Sequence, residues 1–317
     1  MKNAVISGTG SYIPARQVSN VDLEETLDTN DEWIVSRTGI SSRSVADADE
    51  TTSFMAARAA ESALKAADLN ADDIDLIIVA TCTPDNFFPS VACKVQHELK
   101  IKKPIPAFDV SAACSGFVYA MDIAKQYLSS GAAKHILVIG SETMSKSVDW
   151  TDRSVCILFG DGAGAVVLSA SEREGIIGGV LHSSYDEDHL LFYPNATFED
   201  QRGTVSMRGH EVFKLAVNHM GSVVDEVLDV CKLQKSDIDW LVPHQANIRI
   251  INAIAKKLDL PMSRVIVTIA NQGNTSAASI PLALDYSIKN NKIKRDELLL
   301  IESFGGGMTW GAMVIRY

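Results

Sequence analysis

Residues 64–79 read LKAADLNADDIDLIIV, and residues 228–243 read LDVCKLQKSDIDWLVP. At an offset of 164 they share Leu64 with Leu228, Leu69 with Leu233, and Asp73-Ile74-Asp75 with Asp237-Ile238-Asp239. Each passes from a helical pattern through a polar turn into a short apolar strand. The correspondence continues in order: HILVIGS at 135–141 meets ELLLIES at 297–303, and YAMD at 119–122 meets LALD at 282–285, at offsets of 162 and 163. FGDGAGAVVL from Phe159 is echoed by FGGGMTWGAMVI from Phe304. Matches in one order at nearly one spacing imply two similar halves, residues 1–171 and 172–317, divided at the polar SASEREG that precedes a fresh strand, IIGGVL. Strand-like runs alternating with helical ones predict α/β layers, with the chemistry outside the carboxyl ends of the strands.

A chain of 317 residues, 46% hydrophobic, buries a large core. Its formal charge of −11 argues against nucleic-acid binding, which needs a cationic face. The five cysteines are scattered without metal or redox spacing, so free thiols in a reducing cytoplasm are expected, and no metal. The first residues, MKNAVISGTGSYIP, read as a strand and turn with no apolar run of export or membrane-spanning length. GTGSY lacks the third glycine of a dinucleotide fingerprint, and GDGAGA leads into a strand, so no NAD site is expected.

Four places carry candidate chemistry. Cys114, in VSAACSGF, sits where the strand 108–110 gives way to a helix over 117–128; a helix N-terminus there predicts a thiol of lowered pKa. It also reads as a small buried hydrophobe, as do the other four cysteines: Cys93 in a helix, Cys156 in a strand, Cys82 and Cys231 with no identifiable polar partner. His244 follows the strand WLVP at the mirrored position of the second half, as a donor or a structural histidine. Asn274 lies in a loop between a strand from Val265 and a helix capped by Thr275 or Ser276. By the repeat it faces Cys114, or else serves as a turn asparagine. Gly305, Gly306 and Gly307 allow close backbone approach to a substrate oxygen, or make a tight turn between strands.

A thiol with two neutral donors suits acyl transfer followed by enolate stabilisation. Cys, His and Asn occur in the same order in papain-like hydrolases, where the asparagine orients the histidine, but the duplication speaks against that class, and a non-catalytic acyl-binding protein is the further alternative. AACSGF, VPHQAN, QGNTSAA and FGGGMTWG, with DEWIVSRTGI at Asp31 and TDR at Thr151, resemble the β-ketoacyl-[acyl-carrier-protein] synthase III family, the initiating condensing enzymes of type II fatty-acid synthesis, over nearly the whole chain. The resemblance implies a thiolase-like αβαβα fold in five layers and a cytoplasmic homodimer without cofactor. It implies Cys114 as acyl acceptor from acyl-CoA, and His244 and Asn274 as donors to the thioester carbonyl of malonyl-acyl carrier protein. It further implies that Gly306 joins the Cys114 amide in the oxyanion hole and that Phe304 covers the malonyl group. The CoA site maps to Thr29, Trp33, Arg37, Arg153, Gly209, Phe213, Ala246 and Asn247, with Trp33 and Arg153 sandwiching the adenine. Phe88 reaches across the dimer to bound the acyl pocket or packs as an interface aromatic. Lys214, Arg249, Lys256 and Lys257 form either a solvated face or the docking patch for the acidic carrier protein. Gln272 departs from the family, in which many members carry a histidine or an aromatic residue there.

Overall fold

The computed structural model describes residues 2–195 and 203–317. The first sheet contains β1 (Asn3–Tyr12), β2 (Leu76–Ala80), β3 (Ala107–Val110), β4 (His135–Thr143) and β5 (Asp161–Ser171), in the order β1-β5-β4-β2-β3. The second contains β6 (Ile176–Ser183), β7 (Trp240–Pro243), β8 (Leu298–Gly305) and β9 (Thr309–Arg316), in the order β6-β9-β8-β7. In both, the first two neighbouring pairs are antiparallel and the next is parallel. Val265 bridges in parallel to Leu241, at the place β3 holds in the first half. The expected strand from Val265 is reduced to that single bridge, followed by one helical turn, Ile269–Gln272.

The helices repeat too: α1 (Thr52–Ala67), α2 (Val91–Glu98) and α3 (Gly116–Ser129) are matched by α4 (Gly209–Cys231), α5 (Ile248–Lys257) and α6 (Ser279–Lys289). Strand residues alternate between faces. Leu76 and Ile78 of the first sheet, with Leu299 and Ile301 of the second, enclose Phe117 and Met121 of α3 and Ile280 and Leu284 of α6 in one core. Ile77 and Val79 point the other way onto α1 and α2, and Leu298 and Leu300 onto α4 and α5. The result is five layers, αβαβα.

The repeated residues have local tasks. The amides of Leu69 and Leu233 donate to the carbonyls of Leu64 and Leu228, after left-handed Asp68 (φ 55°) and Lys232 (φ 56°), ending each helix with the paired leucines characteristic of this terminator. The carboxylates of Asp73 and Asp237 accept from the amides of Asn70 at 2.8 Å and Gln234 at 2.7 Å, closing a capping box on each following turn. Asp75 and Asp239 accept, both at 2.8 Å, from the amides of Lys134 and Leu298, tying each parallel strand to its neighbour.

Two glycines let the halves interlock. A Cβ on Gly140 of β4 would lie 2.2 Å from the carbonyl oxygen of Ala277, and one on Gly305 of β8 would lie 2.7 Å from the amide nitrogen of Cys114. Ala277 and Cys114 are counterparts at the offset of 163. Each sheet thus presses a bare strand against the turn that opens the other half's central helix.

Candidate active site

Cys114 is buried in a 3₁₀ turn, Ala113–Ser115, that leads into α3. Ala113 takes φ 45°, and Ser276, its counterpart before α6, takes φ 48°. The hydroxyl of Ser303 donates to the Cys114 carbonyl at 2.8 Å, anchoring the turn to β8. Burial pushes the Cys114 thiol up to about 12, with the Glu142 charge acting in the same direction, against lowering by the Ser276 hydroxyl and by its own amide. A helix terminus contributes at most about 2 kcal/mol, and one pK unit is worth about 1.4 kcal/mol. The terminus therefore does not restore an ordinary value, and the expected thiolate is a thiol in the resting site.

His244 follows β7, its amide donating to the Glu302 carbonyl at 2.9 Å. Its Nδ1 lies 2.6 Å from Ser279 Oγ, and that oxygen also accepts from the Gln245 amide at 3.4 Å. That hydroxyl has one proton and two lone pairs, so it can donate to Nδ1, with the ring proton on Nε2, or accept from Nδ1–H. Burial lowers the imidazole to about 3, so it is neutral. Gln245 fastens the loop, donating to the carbonyls of Pro243 and Ile266 and accepting from the Thr268 amide.

The Asn274 amide donates to the Leu158 carbonyl at 2.7 Å, and its Oδ1 accepts from the Ser276 amide at 2.8 Å. That bond is the turn role read as one alternative, and it leaves Nδ2 as the group with donors to offer. Neither Thr275 nor Ser276 caps α6 with its side chain, contrary to expectation: the chain enters through a 3₁₀ turn, Ser276–Ala278.

Cys114, His244, Asn274 and Phe304 all line one narrow cavity of about 90 Å³, whose wall continues through Gly209, Phe213, Ala246 and Asn247. On its other side Cys114 borders a wider cavity of about 480 Å³, lined also by Cys82, Met144, Ser276 and Gly306. Gly306 belongs to the hairpin turn between β8 and β9, the tight turn read as one alternative. Thr29, Trp33, Arg37 and Arg153 do not line either cavity. Three of them form a surface cluster, with the guanidinium carbons of Arg37 and Arg153 at 4.9 and 5.2 Å from the Trp33 ring centre. Thr29 Oγ1 is buried without a hydrogen-bond partner among the described residues.

Asn247 caps α5, accepting from the Arg249 amide. The Arg249 guanidinium stands 5.0 Å from the ring of Phe213, a cavity-wall residue, and Lys214, next in sequence, is exposed. Lys256 is exposed, and Lys257 pairs with Asp225 at 2.6 Å. Phe88 is 88% exposed, with Phe87 beside it.

The sequence reading passes over Ser279, Gln245 and Glu142, and takes Ser276 only as a helix cap. Ser276 lies inside and Ser279 next to the quoted QGNTSAA, but nothing local separates them from helix-start serines. Cys82, read as lacking a polar partner, donates to Glu142 at 3.2 Å. Cys156 lies in a turn, not a strand.

Among the described residues no helix is long and apolar enough to cross a membrane, and no group of three or more His, Cys, Asp or Glu side chains is placed to hold a metal ion. The family model for 3-oxoacyl-[acyl-carrier-protein] synthase III matches residues 108–185, and that for its C-terminal part matches residues 228–317. The β-ketoacyl-[acyl-carrier-protein] synthase III of Methylococcus capsulatus is 54% identical over 316 residues, covering 98% of both chains. That of Thiobacillus denitrificans is 54% identical over 314 residues, again covering 98% of both. The crystal structure of the Aquifex aeolicus 3-oxoacyl-[acyl-carrier-protein] synthase III superposes with a TM-score of 0.95 at 49% identity, covering 99% of this chain and 100% of that one. With its thiolase-like layers and near-full-length relatives, the chain belongs to the β-ketoacyl-[acyl-carrier-protein] synthase III family of condensing acyltransferases, which initiate fatty-acid synthesis.

Proposed function

We propose that this enzyme joins a short acyl-CoA primer, acetyl-CoA, to malonyl-acyl carrier protein, giving a 3-oxoacyl-acyl carrier protein, CoA and CO2. Cys114 Sγ attacks the primer's thioester carbonyl, the C–S bond to CoA breaks, and an acyl-cysteine remains. The amides of Cys114 and Gly306 hold the oxyanion. Malonyl-acyl carrier protein then enters, its thioester oxygen facing His244 Nε2–H and Asn274 Nδ2–H, with Phe304 over the malonyl carboxylate. When CO2 leaves, its bonding electrons form an enolate that the two donors stabilise. The enolate carbon attacks the acyl-cysteine carbonyl, the C–C bond forms, and the Cys114 sulfur leaves and takes up a proton. No metal or cofactor is needed.

The observation that carries this reading is the neutral His244, with Nδ1 occupied by Ser279, lining one cavity with Cys114 and Asn274. In a papain-like hydrolase the asparagine would orient the histidine, whereas here a serine is bonded to it. CoA is assigned to Thr29, Trp33, Arg37, Arg153, Gly209, Phe213, Ala246 and Asn247, with its adenine entering between Trp33 and Arg153. Carrier protein is assigned to Lys214, Arg249, Lys256 and Lys257. The exposure of Phe88 supports a homodimer in which a second copy covers it and bounds the acyl pocket. The two halves, 1–171 and 172–317, contribute the cysteine and the donor pair respectively, and the enzyme works in the cytoplasm.

Intact-protein mass after mixing with a panel of acyl-CoAs tests the reading. An acyl adduct is expected on the wild type and none on Cys114→Ala. The absence of any wild-type adduct would favour an acyl-binding protein instead.

A further inference from the structure

Phe304 lines the narrow cavity with Cys114, His244 and Asn274, and its ring is held by side chains that lie outside that cavity. Antiparallel register sets Phe304 of β8 opposite Trp310 of β9, and Trp310 opposite His182 of β6, so three rings stand in a row across three strands. The His182 and Trp310 ring centres are 5.5 Å apart. From α4, His219 rests on this row. Its ring centre is 4.1 Å from that of Trp310, and it stacks on Phe304 at 5.8 Å with only 6° between the planes.

The far end of the row is pinned as well. His182 Nε2 pairs with Glu226 at 2.8 Å, and its carbonyl accepts from the Tyr119 hydroxyl at 2.7 Å. Glu226 follows His219 by about two turns of α4, so one helix holds both ends of the row. Burial, and then the charge of His182, lowers the His219 imidazole from its ordinary value, and it packs as a neutral ring.

The plane of the Phe304 ring bears on the chemistry. An aromatic ring is negative on its face and positive at its edge, so a face turned to a carboxylate repels it and an edge attracts it. Repulsion of the malonyl carboxylate is relieved when CO2 leaves as a neutral molecule and the charge moves to the enolate oxygen. A ring free to turn its edge inward would lose that bias.

We propose that His219 is a positioning residue for decarboxylation, holding the face of Phe304 towards the malonyl carboxylate by stacking on Phe304 and Trp310. The proposal rests on the placement of Phe304 over that carboxylate. His219 does not line the cavity and carries no proton in the reaction; it acts through the ring it holds.

Steady-state CO2 release from malonyl-carrier protein, paired with intact-mass acylation by acetyl-CoA on the same preparations, tests the assignment. His219→Phe keeps a stacking ring and is expected to match the wild type. His219→Leu fills the space without a ring and His219→Ala empties it. Both are expected to lower kcat for CO2 release by about 2- to 10-fold, the worth of one aromatic pair. KM for malonyl-carrier protein should not rise, as befits a lost ground-state repulsion, and acylation should keep the wild-type rate. In the Phe304→Leu background His219→Ala should cost nothing further, because the ring it positions is gone. Equal rates for His219→Phe and His219→Leu would overturn the proposal, as would a full loss from His219→Ala in the Phe304→Leu background, or an equal fall in acylation. Should His219→Ala not fold, the Phe and Leu variants decide the question alone. CO2 release at the wild-type rate from Phe304→Leu would instead remove the underlying placement of Phe304, a result distinct from an inert His219 variant.

Discussion

The donor role proposed for His244 Nε2 requires the ring proton there, with Ser279 donating to Nδ1, so Ser279→Ala separates the two half-reactions. With the hydroxyl donating across the 2.6 Å bond, Nδ1 is the acceptor and Nε2–H the donor. Its removal takes away the bond that favours the proton on Nε2, and in the Nδ1–H form Nε2 no longer donates to the enolate. At a net about 0.5–1.5 kcal/mol for the bond, and about 1.4 kcal/mol per factor of ten, the productive tautomer is depleted by at most roughly 2- to 10-fold. The rate of CO2 release from malonyl-carrier protein falls accordingly. Acylation of Cys114 does not use the Nε2 donor, so acetyl-adduct formation stays within about threefold. The assay pairs CO2 release with intact-mass acylation kinetics on the same preparation. An equal fall in both steps, or undiminished CO2 release, would refute the tautomer argument.

Three further outcomes follow from the same geometry. Glu302 is fully buried, neither carboxyl oxygen has a hydrogen-bond partner among the described residues, and burial raises its pKa well above the carboxylate range. It is neutral when folded and ionises when unfolded, so its contribution is intact below the unfolded value of about 4.3 and is lost as pH rises toward the folded one. Glu302→Gln should therefore raise Tm more at pH 8 than at pH 4.5, and a pH-independent difference would contradict this. Gly305→Ala places a Cβ 2.7 Å from the Cys114 amide and must displace the nucleophile's turn. Acylation is expected to fall at least about tenfold, since small misplacements of a reacting group cost that much or more, with helical circular dichroism unchanged. Arg249→Glu reverses the charge beside Phe213, and kcat/KM for malonyl-carrier protein should drop about tenfold at low salt, with acylation by acetyl-CoA unaffected. Unchanged turnover at physiological salt would sink the docking assignment.

The departures between sequence and structure share a cause. Cys114 has the helix N-terminus that was read for it, yet the thiol is raised, because two halves close over it and desolvation exceeds the terminus field. Cys82 lacked a partner in its own neighbourhood because Glu142 lies 60 residues further along. The segment after Val265 was given strand character on its apolar pattern, but it pairs through one residue before turning.

What the sequence determined by itself is local in origin. Leu64 with Leu69, Asp73 with Asn70, and their counterparts in the second half act over a few residues, so their recurrence exposes two similar halves with the same helix ends and turns. The motifs around Cys114, His244 and Asn274 were legible for the same reason, each sitting at the end of a strand or the start of a helix. Only the tertiary structure decided the protonation of the site. Ser279 meets His244, Ser276 meets Cys82, and Glu142 lies behind Cys82 because two sheets clamp α3 and α6 between them. Burial and long-range hydrogen bonds set pKa and tautomer, and neither exists until distant segments meet.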